Sequence, residues 1–561
     1  MPQTARKTQL DVRQDHPVKP LHSLPSYAEP TPETHRRISR EEEAELSLTR
    51  TRFGRGARVL LIAFFLVTIA LVPLFQAVSE LRRHQPLTLI APLRLLHGYS
   101  IPRAAEIKSV EQQIERSSLI SAWLLPSAQL FLTKYFGAGN EQVYVGRDGW
   151  LFYRPDVEFV TGLPFLSAAQ LHHRTIKADV QPDPIRAITQ FRDQLAARGI
   201  DLIVVPAPSK AGIEPEKLST RASQAPVTNA SFTEWEKRLR LAGVRVFSTD
   251  AILAGRKAAT HQPQYLAADS HWTPEAMEFI AAKLAQTLGQ AKSNLTPLAA
   301  QEIDGTGDIA QMLKLPKNQT LFPPQRLAIH RVTNGAALWR ADPAADVLLL
   351  GDSFTNIYSL EAMGWGESAG FAEHLSRALG KPIDVLARNS DGAFATREML
   401  AQELAHGRDR LAGKKLVIWE FAARELAFGD WKLLDMTLRE KAPAQFFSAK
   451  PGEAVVVTAT VEAASPVPQP GSVPYKEHIM SLHLVDLAGL TNIRSAQALV
   501  YTWSMRNNIW TPAARLRPGE KVRLRLRAWS DVAAELQKFN RSEIDDPTVQ
   551  MEEPSWGELL P

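Results

Sequence analysis

The sequence predicts an α/β protein with a parallel, helix-covered sheet, tethered by one transmembrane helix and followed by a small all-β module. Three observations carry this reading. Between about residues 141 and 444 short apolar runs alternate with helical patterns, residues 59–79 contain no charged side chain, and beyond about residue 445 the texture turns to alternating and β-branched strands. Alternation of strand and helix argues for parallel strands joined by helical crossovers, whereas consecutive strands broken by Pro and Gly argue for a sandwich or barrel.

Residues 1–58 hold 11 Lys/Arg against 8 Asp/Glu and are rich in Pro, Gln and Thr, the composition of a disordered tail. The next stretch, VLLIAFFLVTIALVPLFQAVS (59–79), is long enough to cross a hydrocarbon core ~30 Å thick. A buried helix of a soluble core is rarely apolar all round. The stretch is too long and too far from the start for a signal peptide, and no clear small-x-small cleavage site follows it. Arg40, Arg50, Arg52, Arg55 and Arg58 precede it, and only Arg82, Arg83 and Arg94 follow in a similar window. The positive-inside rule therefore keeps the tail in the cytoplasm and exports everything beyond residue 80. Most of the net charge of +5 lies in the tail, so nothing in the exported part asks for nucleic acid. With no cysteine, disulfides, thiolate catalysis and Cys-based metal centres are excluded, and the absence suits an extracytoplasmic domain.

Residues 80–140, which include SSLISAWLLPSAQLFLTKYF, read as a helical stalk or cap. Then DGWLFY (148–153) reads as a strand, DPIRAITQFRDQLAARG (183–199) as a helix stopped by Gly199, and IDLIVVPAPSK (200–210) as a buried strand. SFTEWEKRLRLAG (231–243) is a helix, VRVFST (244–249) a strand, and TPEAMEFIAAKLAQTLG (273–289) a helix with Thr273 at its N-cap and Pro274 at its first position. A strand before Ser353, a helix around EHLSRALG (373–380), PIDVLARN (382–389), a helix from Thr396 to about Leu411, and KLVIWEF (415–421) complete the alternation. Residues 445–561 form the β-rich module, whose final acidic, turn-rich segment is expected to pack back on the body. In a small β domain Trp503, Trp510 and Trp529 serve as core, or as platforms for sugar rings.

Two short stretches carry chemistry. In VLLLGDSFT (347–355) four aliphatics without polar alternation fit a strand buried on both faces, and Gly351 lets the chain turn sharply into Ser353. The carboxyl end of such a strand faces the crevice where ligands bind, but a Gly-Asp-Ser also serves as an ordinary turn. In AADSHWTPEAM (267–277) Asp269 and His271 are two apart, so an extended backbone points both to one side. A serine hydroxyl needs a base within reach, and the base needs a third group to fix its tautomer. Asp269, His271 and Ser353 supply those three residue types. The alternatives are that Asp269 and Ser270 only shape a turn, or that Asp269 and His271 ligate a metal, for which no compact second cluster of ligands accompanies them.

GDSFT (351–355), DSHWT (269–273), DGWLFY (148–153), VVPAPSKAGIEPEKL (204–218) and VIWEFAAREL (417–426) together resemble the alginate O-acetyltransferases of the AlgJ/AlgX type. The likeness covers about residues 141–430. It implies a doubly wound SGNH-hydrolase-like sheet with permuted motif order, the Asp-x-His motif preceding the serine. It further implies Ser353 as nucleophile, His271 as general base and Asp269 as the residue orienting it, with no cofactor. The Ser353 backbone N–H is the first oxyanion candidate. Asn389, in ARNSDGA (387–393), is either a second donor or a residue that closes the turn after its strand. Tyr358, Lys210, Arg424 and Glu420 lie in the matching motifs and either contact polysaccharide or brace the site, with a buried Glu420–Arg424 ion pair as the plainer alternative for those two. The implied activity is transfer of acetyl through an acyl-serine to an exopolysaccharide at the periplasmic face of a bacterial inner membrane. The implied partners are a membrane-bound O-acyltransferase as acetyl donor and a polysaccharide synthesis and export complex. The same residues would also suit a polysaccharide esterase, and a scaffold subunit that binds polymer without catalysis is the reading from another class.

Overall fold

The computed structural model describes residues 54–82, 107, 118–178, 180–221, 225–289, 298–389, 392–405, 407–440, 446–468, 470, 473, 475–489, 497–544 and 546–560. The expected disordered tail lies almost wholly outside the described residues, as does much of the stalk. The chain divides into two compact units, Met1–Pro73 and Leu74–Pro561. Helix Arg55–Arg82 contains the uncharged stretch, and among the described residues it is the one helix long and apolar enough to cross a membrane.

In the second unit an antiparallel hairpin pairs β1 (Val143–Val145) with β2 (Leu151–Tyr153). The expected strand over 148–153 starts late because Asp148 and Gly149, at φ 55° and 78°, make the turn instead. Next come β3 (Asp201–Ala207) and β4 (Arg245–Val246), which is shorter than expected because Thr249 already opens helix Thr249–Thr260. Two hairpins that the sequence patterns did not signal follow, β5 (Ala300–Gly305) with β6 (Gln325–His330), and β7 (Thr333–Asn334) with β8 (Ala337–Leu338). The main sheet is completed by β9 (Val347–Gly351), β10 (Asp384–Ala387) and β11 (Leu416–Ala422). Its order is β10-β9-β11-β3-β4, with every pairing parallel.

Alternate residues of these strands feed two cores. Ile203, Val205, Leu349 and Ile418 face helices Pro274–Thr287 and Phe371–Leu379, while Leu202, Val204, Leu348, Leu350 and Trp419 face helices Pro184–Ala196, Phe232–Leu241 and Ala395–Ala405. Two buried faces explain the unbroken aliphatic runs of β3 and β9. Chain order runs outward from β3 to β4 and from β9 to β10, and β11 fills the gap between the two halves. The carboxyl ends of β9, β11 and β3 therefore meet at the place where the order reverses, which is where open α/β sheets bind ligands. The helix expected to run to about Leu411 ends at Ala405.

The β-rich module is a closed barrel. Strands β12 (Ala454–Ala464), β13 (His478–Ala488) and β14 (Ala498–Arg506) are followed by β15 (Ile509–Trp510), β16 (Lys521–Ala528), β17 (Arg541–Ser542) and β18 (Ser555–Leu559). The ring runs β14-β18-β16-β12-β13 and returns to β14, with β15 and β17 appended to β14 and β13. Closure removes the open edges that would otherwise recruit other strands. The acidic final segment packs back on the body, where Glu553 pairs with Arg408, and it also supplies β18, parallel to β14 and antiparallel to β16. The barrel touches the parallel sheet just beyond β10, where Asn540 Nδ2 donates to the Asn389 carbonyl at 2.7 Å and Arg388 Nη2 donates to the Arg541 carbonyl at 3.0 Å.

Candidate active site

Strand β9 ends in Gly351 because nothing larger fits: a Cβ there would lie 2.2 Å from Thr355 Oγ1. Asp352 then caps the short helix Ser353–Asn356. Its Oδ1 accepts the Phe354 N–H at 2.8 Å, and its Oδ2 accepts the Ala422 N–H at 2.8 Å, which staples the serine turn to the end of β11. Since Asp352 takes the Phe354 N–H, the Ser353 N–H at the first helical position is left with no intrahelical acceptor. Ser353 is half-buried, and the adjoining Phe354 is fully buried with its ring centroid 4.8 Å from that of His271. Phe354 thus seats the serine turn directly against the imidazole.

The imidazole is held by its own loop. A bridge between Tyr265 and Trp272 pins the loop before helix Pro274–Thr287, whose N-cap is Thr273 with Pro274 next, as the sequence indicated. His271 Nδ1 lies 2.7 Å from Asp269 Oδ1, which also accepts the His271 N–H at 3.0 Å. Asp269 Oδ2 accepts the Asp308 N–H at 3.0 Å and the Trp365 indole N–H at 2.9 Å. Every lone pair of this buried carboxylate that matters for its charge is answered. Burial alone would raise its pKa, but the charge and hydrogen bond of His271, joined by the Asp308 and Trp365 donors, push it down to about 2. Burial works to lower the His271 pKa, and the Asp269 charge overcomes it, leaving the imidazole above its ordinary value. His271 Nε2 is buried and has no hydrogen-bond partner among the described residues.

Asp308 is a residue that sequence reasoning missed. It opens helix Asp308–Met312 after Gly307, where a Cβ would lie 2.1 Å from the Ala268 carbonyl oxygen, so only glycine lets this helix press on Asp269. Its carboxylate accepts the Ser270 N–H at 2.7 Å and the Ser270 hydroxyl at 2.6 Å, and its Oδ2 stands 3.8 Å from His271 Nδ1. Burial and the neighbouring Asp269 charge push its pKa up to about 6. The available signal was a Gly-Asp pair ahead of a short apolar turn in GTGDIAQML, too common to single out. Asp269, His271 and Asp308 bring ligand atoms within 4.8 Å of one another. Each Asp269 oxygen already accepts two N–H groups and Ser270 occupies both Asp308 oxygens, so the cluster is a hydrogen-bond network rather than a coordination shell.

Lys210 lies beneath this loop, fully buried. Its ammonium donates to the carbonyls of Leu151, Ala267 and Asp269 at 2.6, 2.8 and 2.9 Å, and it stands 5.0 Å from the Trp150 ring centroid. All three donors are consumed by backbone, so Lys210 ties the Asp269 loop to β2 and has none left for a polymer. Burial pushes its pKa down to about 7 against the pull of the Asp269 and Asp308 charges. Lys210→Met leaves three buried carbonyls unanswered and is expected to cost about 2–4 kcal/mol of stability. The measurement is the denaturation midpoint, and an unchanged midpoint would remove Lys210 as a brace.

Tyr358 is likewise buried, and its hydroxyl donates to the Trp272 carbonyl at 2.6 Å, joining the serine segment to the histidine loop. Of the two roles open to Tyr358 and Lys210, bracing is the one these positions allow. The plainer alternative of a Glu420–Arg424 ion pair is corrected: Arg424 pairs with buried Asp156 at 3.1 Å and covers the Tyr153 ring. Glu420 instead accepts the Thr355 hydroxyl at 2.8 Å and the Asp352 N–H at 3.1 Å, and burial together with the Asp352 charge raises its pKa well above the usual carboxyl range. Asn389 is buried, accepts the Asn356 amide at 2.8 Å through Oδ1, and directs Nδ2 at Met363 Sδ, 3.4 Å away.

The tryptophans divide. Trp503 packs edge-to-face on Phe539 and Trp556 with Arg506 over its ring, and Trp529 packs on Tyr501, so both belong to the barrel's second core. Trp510 is half-buried, its indole N–H donating to the Pro468 carbonyl at 2.8 Å.

A five-stranded parallel sheet with a capped serine turn at its carboxyl edge, facing an Asp-x-His loop, defines an SGNH-hydrolase-like domain. The chain belongs to the family described as "SGNH hydrolase-like domain, acetyltransferase AlgX", whose model matches residues 143–423. Its curated relatives include the probable alginate O-acetylase AlgJ of Pseudomonas aeruginosa, 26% identical over 302 residues that make up 52% of this chain and 72% of that protein. The AlgJ of Pseudomonas putida is 28% identical over 308 residues, with the same two shares. Among solved structures, the O-acetyltransferase domain of Pseudomonas putida AlgJ aligns at 23% identity and TM-score 0.36, covering 51% of this chain and 92% of that one.

Proposed function

We propose that this chain transfers acetyl groups through an acyl-serine on Ser353 to hydroxyls of an exported polysaccharide. The observation that carries the proposal is the state of His271: Nδ1 is committed to Asp269, buried Nε2 has no hydrogen-bond partner among the described residues, and the ring of Phe354, next to Ser353, packs 4.8 Å from the imidazole. In the first half-reaction His271 Nε2 takes the Ser353 hydroxyl proton as Oγ attacks the acetyl carbonyl carbon. The bond from that carbon to the donor's leaving group breaks, and the leaving group receives the proton from the imidazolium. In the second, a sugar hydroxyl gives its proton to Nε2 and attacks the acyl-serine, and Ser353 departs with that proton restored. The oxyanion is met by the Ser353 N–H, with the second N–H of Asn389 Nδ2 as the further donor.

The membrane helix, the export of residues beyond 80 and a membrane-bound acyltransferase as acetyl donor belong to the same proposal. So does the permuted order, in which His271 precedes Ser353 by 82 residues. The test is incubation of the full chain with an activated acetyl ester, followed by mass spectrometry. Acetyl on Ser353 that candidate oligosaccharides discharge supports the transferase. Discharge by water alone would make the protein an esterase, and no adduct with any donor would defeat the mechanism.

The pH dependence has a definite sign. His271 accepts a proton only when neutral, so acylation rises with pH through its elevated pKa. The Asp308 charge contributes to that elevation. Asp308→Asn keeps an acceptor for Ser270 and removes the charge, so the acid limb of the acylation profile is expected to move to lower pH. A limb that stays in place would detach Asp308 from the titration of His271.

A further inference from the structure

Helix Leu119–Phe136 is built inside out. It carries LISAWLLPSAQLFLTKYF, with Lys134 its single charged residue, and the polar side chains Gln129 and Thr133 face inward. Gln129 Nε2 lies 3.0 Å from Thr133 Oγ1, 3.2 Å from the Ala138 carbonyl and 3.0 Å from the Gly139 carbonyl, and the Thr133 hydroxyl donates to the Ala138 carbonyl at 2.9 Å. The helix thus satisfies its polar stripe on its own C-terminal turn, where Gly137 adopts the left-handed cap. The apolar side chains point outward: Trp123 is 77% exposed, Phe136 71%, Tyr135 65% and Phe131 54%, with Leu124, Leu125 and Leu132 also exposed. At 3.6 residues per turn these seven span roughly 220° of the circumference.

That breadth selects the occupant. A protein groove takes one stripe of a helix, whereas lipid covers whatever circumference is offered, and a helix apolar over most of its surface belongs inside a core or in a membrane. The helix also begins beside the membrane segment: within the unit that starts at Leu74, the Leu119 N–H donates to Gln76 Oε1 at 3.0 Å, and Gln76 lies in the last turns of helix Arg55–Arg82. At its other end Asn140 Nδ2 donates to the Met312 carbonyl at 2.8 Å, which fastens the helix to the catalytic domain. Trp and Tyr rings are the side chains that settle at the headgroup level.

From this arrangement we infer that helix Leu119–Phe136 is a second membrane contact, embedded in the lipid of the leaflet nearest the catalytic domain. The inference rests on reading helix Arg55–Arg82 as a membrane span. It makes the membrane attachment two-point, so that the catalytic domain is held against the bilayer rather than swinging from a flexible tether.

Because the chain has no cysteine, single cysteines report local environment without background. Full-length Leu124→Cys, Phe131→Cys and Tyr135→Cys variants are labelled with bimane in phosphatidylethanolamine/phosphatidylglycerol nanodiscs, with and without brominated acyl chains. Leu241→Cys, at a site 79% exposed on the catalytic domain, is the aqueous control, and Phe65→Cys the control within the span. The expected result is quenching at the three test positions close to that at Phe65→Cys and at least about twofold above that at Leu241→Cys. Test labels that behave like Leu241→Cys in lipid-only discs, while Phe65→Cys is quenched, would overturn the inference and leave the span intact. Protection of those labels only in native membranes would assign the surface to a protein partner. A Phe65→Cys label that escapes quenching would defeat the span and the inference together.

Discussion

Ser353→Ala is expected to lower acetyl transfer by about 10⁴-fold or more and to abolish the covalent adduct, because the other hydroxyl of helix Ser353–Asn356, Thr355, is buried and donates to Glu420. The fold should survive. Among the described residues the Ser353 side chain makes none of the bonds that hold the turn; Asp352 makes them, through the Phe354 and Ala422 N–H groups. Ser353 is also only half-buried, so the stability change should stay within about 0.5 kcal/mol. The measurements are adduct mass, transfer rate and denaturation midpoint on the same preparation. An adduct that persists in the alanine protein would move the nucleophile elsewhere. Unchanged polymer acetylation in cells, with acetylation lost on gene deletion, would leave the chain a scaffold.

Asp269→Asn is expected to be nearly as damaging, about 10³–10⁴-fold in the acylation rate. The carboxylate accepts the imidazole Nδ1–H and so keeps Nε2 free of a proton and ready to take one. An asparagine amide offers one oxygen where Asp269 uses two, so it cannot at once serve His271 and the donors from Asp308 and Trp365. Turned to satisfy the Asp308 and Trp365 donors, it presents an N–H to Nδ1 and forces the other tautomer. The expected signature is a low rate at every pH with adduct position unchanged. A variant that recovered full rate merely on raising the pH would show that Asp269 only tunes the imidazole and does not orient it.

The residues proposed for the chemistry were legible because each lies in a short local pattern. Strand, glycine and serine are contiguous in VLLLGDSFT, and Asp269 and His271 are near neighbours in DSHWT. Both sheet faces were also legible, since only a sheet covered on each side needs runs such as LIVV and VLLL. What stayed hidden depends on approaches between distant segments. Asp308 matters because Gly307 lets a helix touch the Asp269 backbone, and no spacing rule connects it to His271. Arg424 lies close to Glu420 in the sequence, yet its carboxylate, Asp156, comes from 268 residues earlier. Glu420, by contrast, is engaged by the Thr355 hydroxyl and the Asp352 N–H. The two extra hairpins escaped because β5 is mostly exposed, leaving little hydrophobic alternation to read.

The position of β18 sets an order of events for the nascent chain. A ring running β14-β18-β16-β12-β13 cannot close until residues 555–559 arrive, so β12 to β16 must wait as an open sheet with two unpaired edges where the last stave will enter. The segment that carries Asn540, which holds the Asn389 carbonyl, lies between β16 and β18. The turn that carries Asn389 is therefore fastened to a segment that follows β16, and a chain cut short before Asn540 would keep its parallel sheet while losing the bond that holds the Asn389 carbonyl.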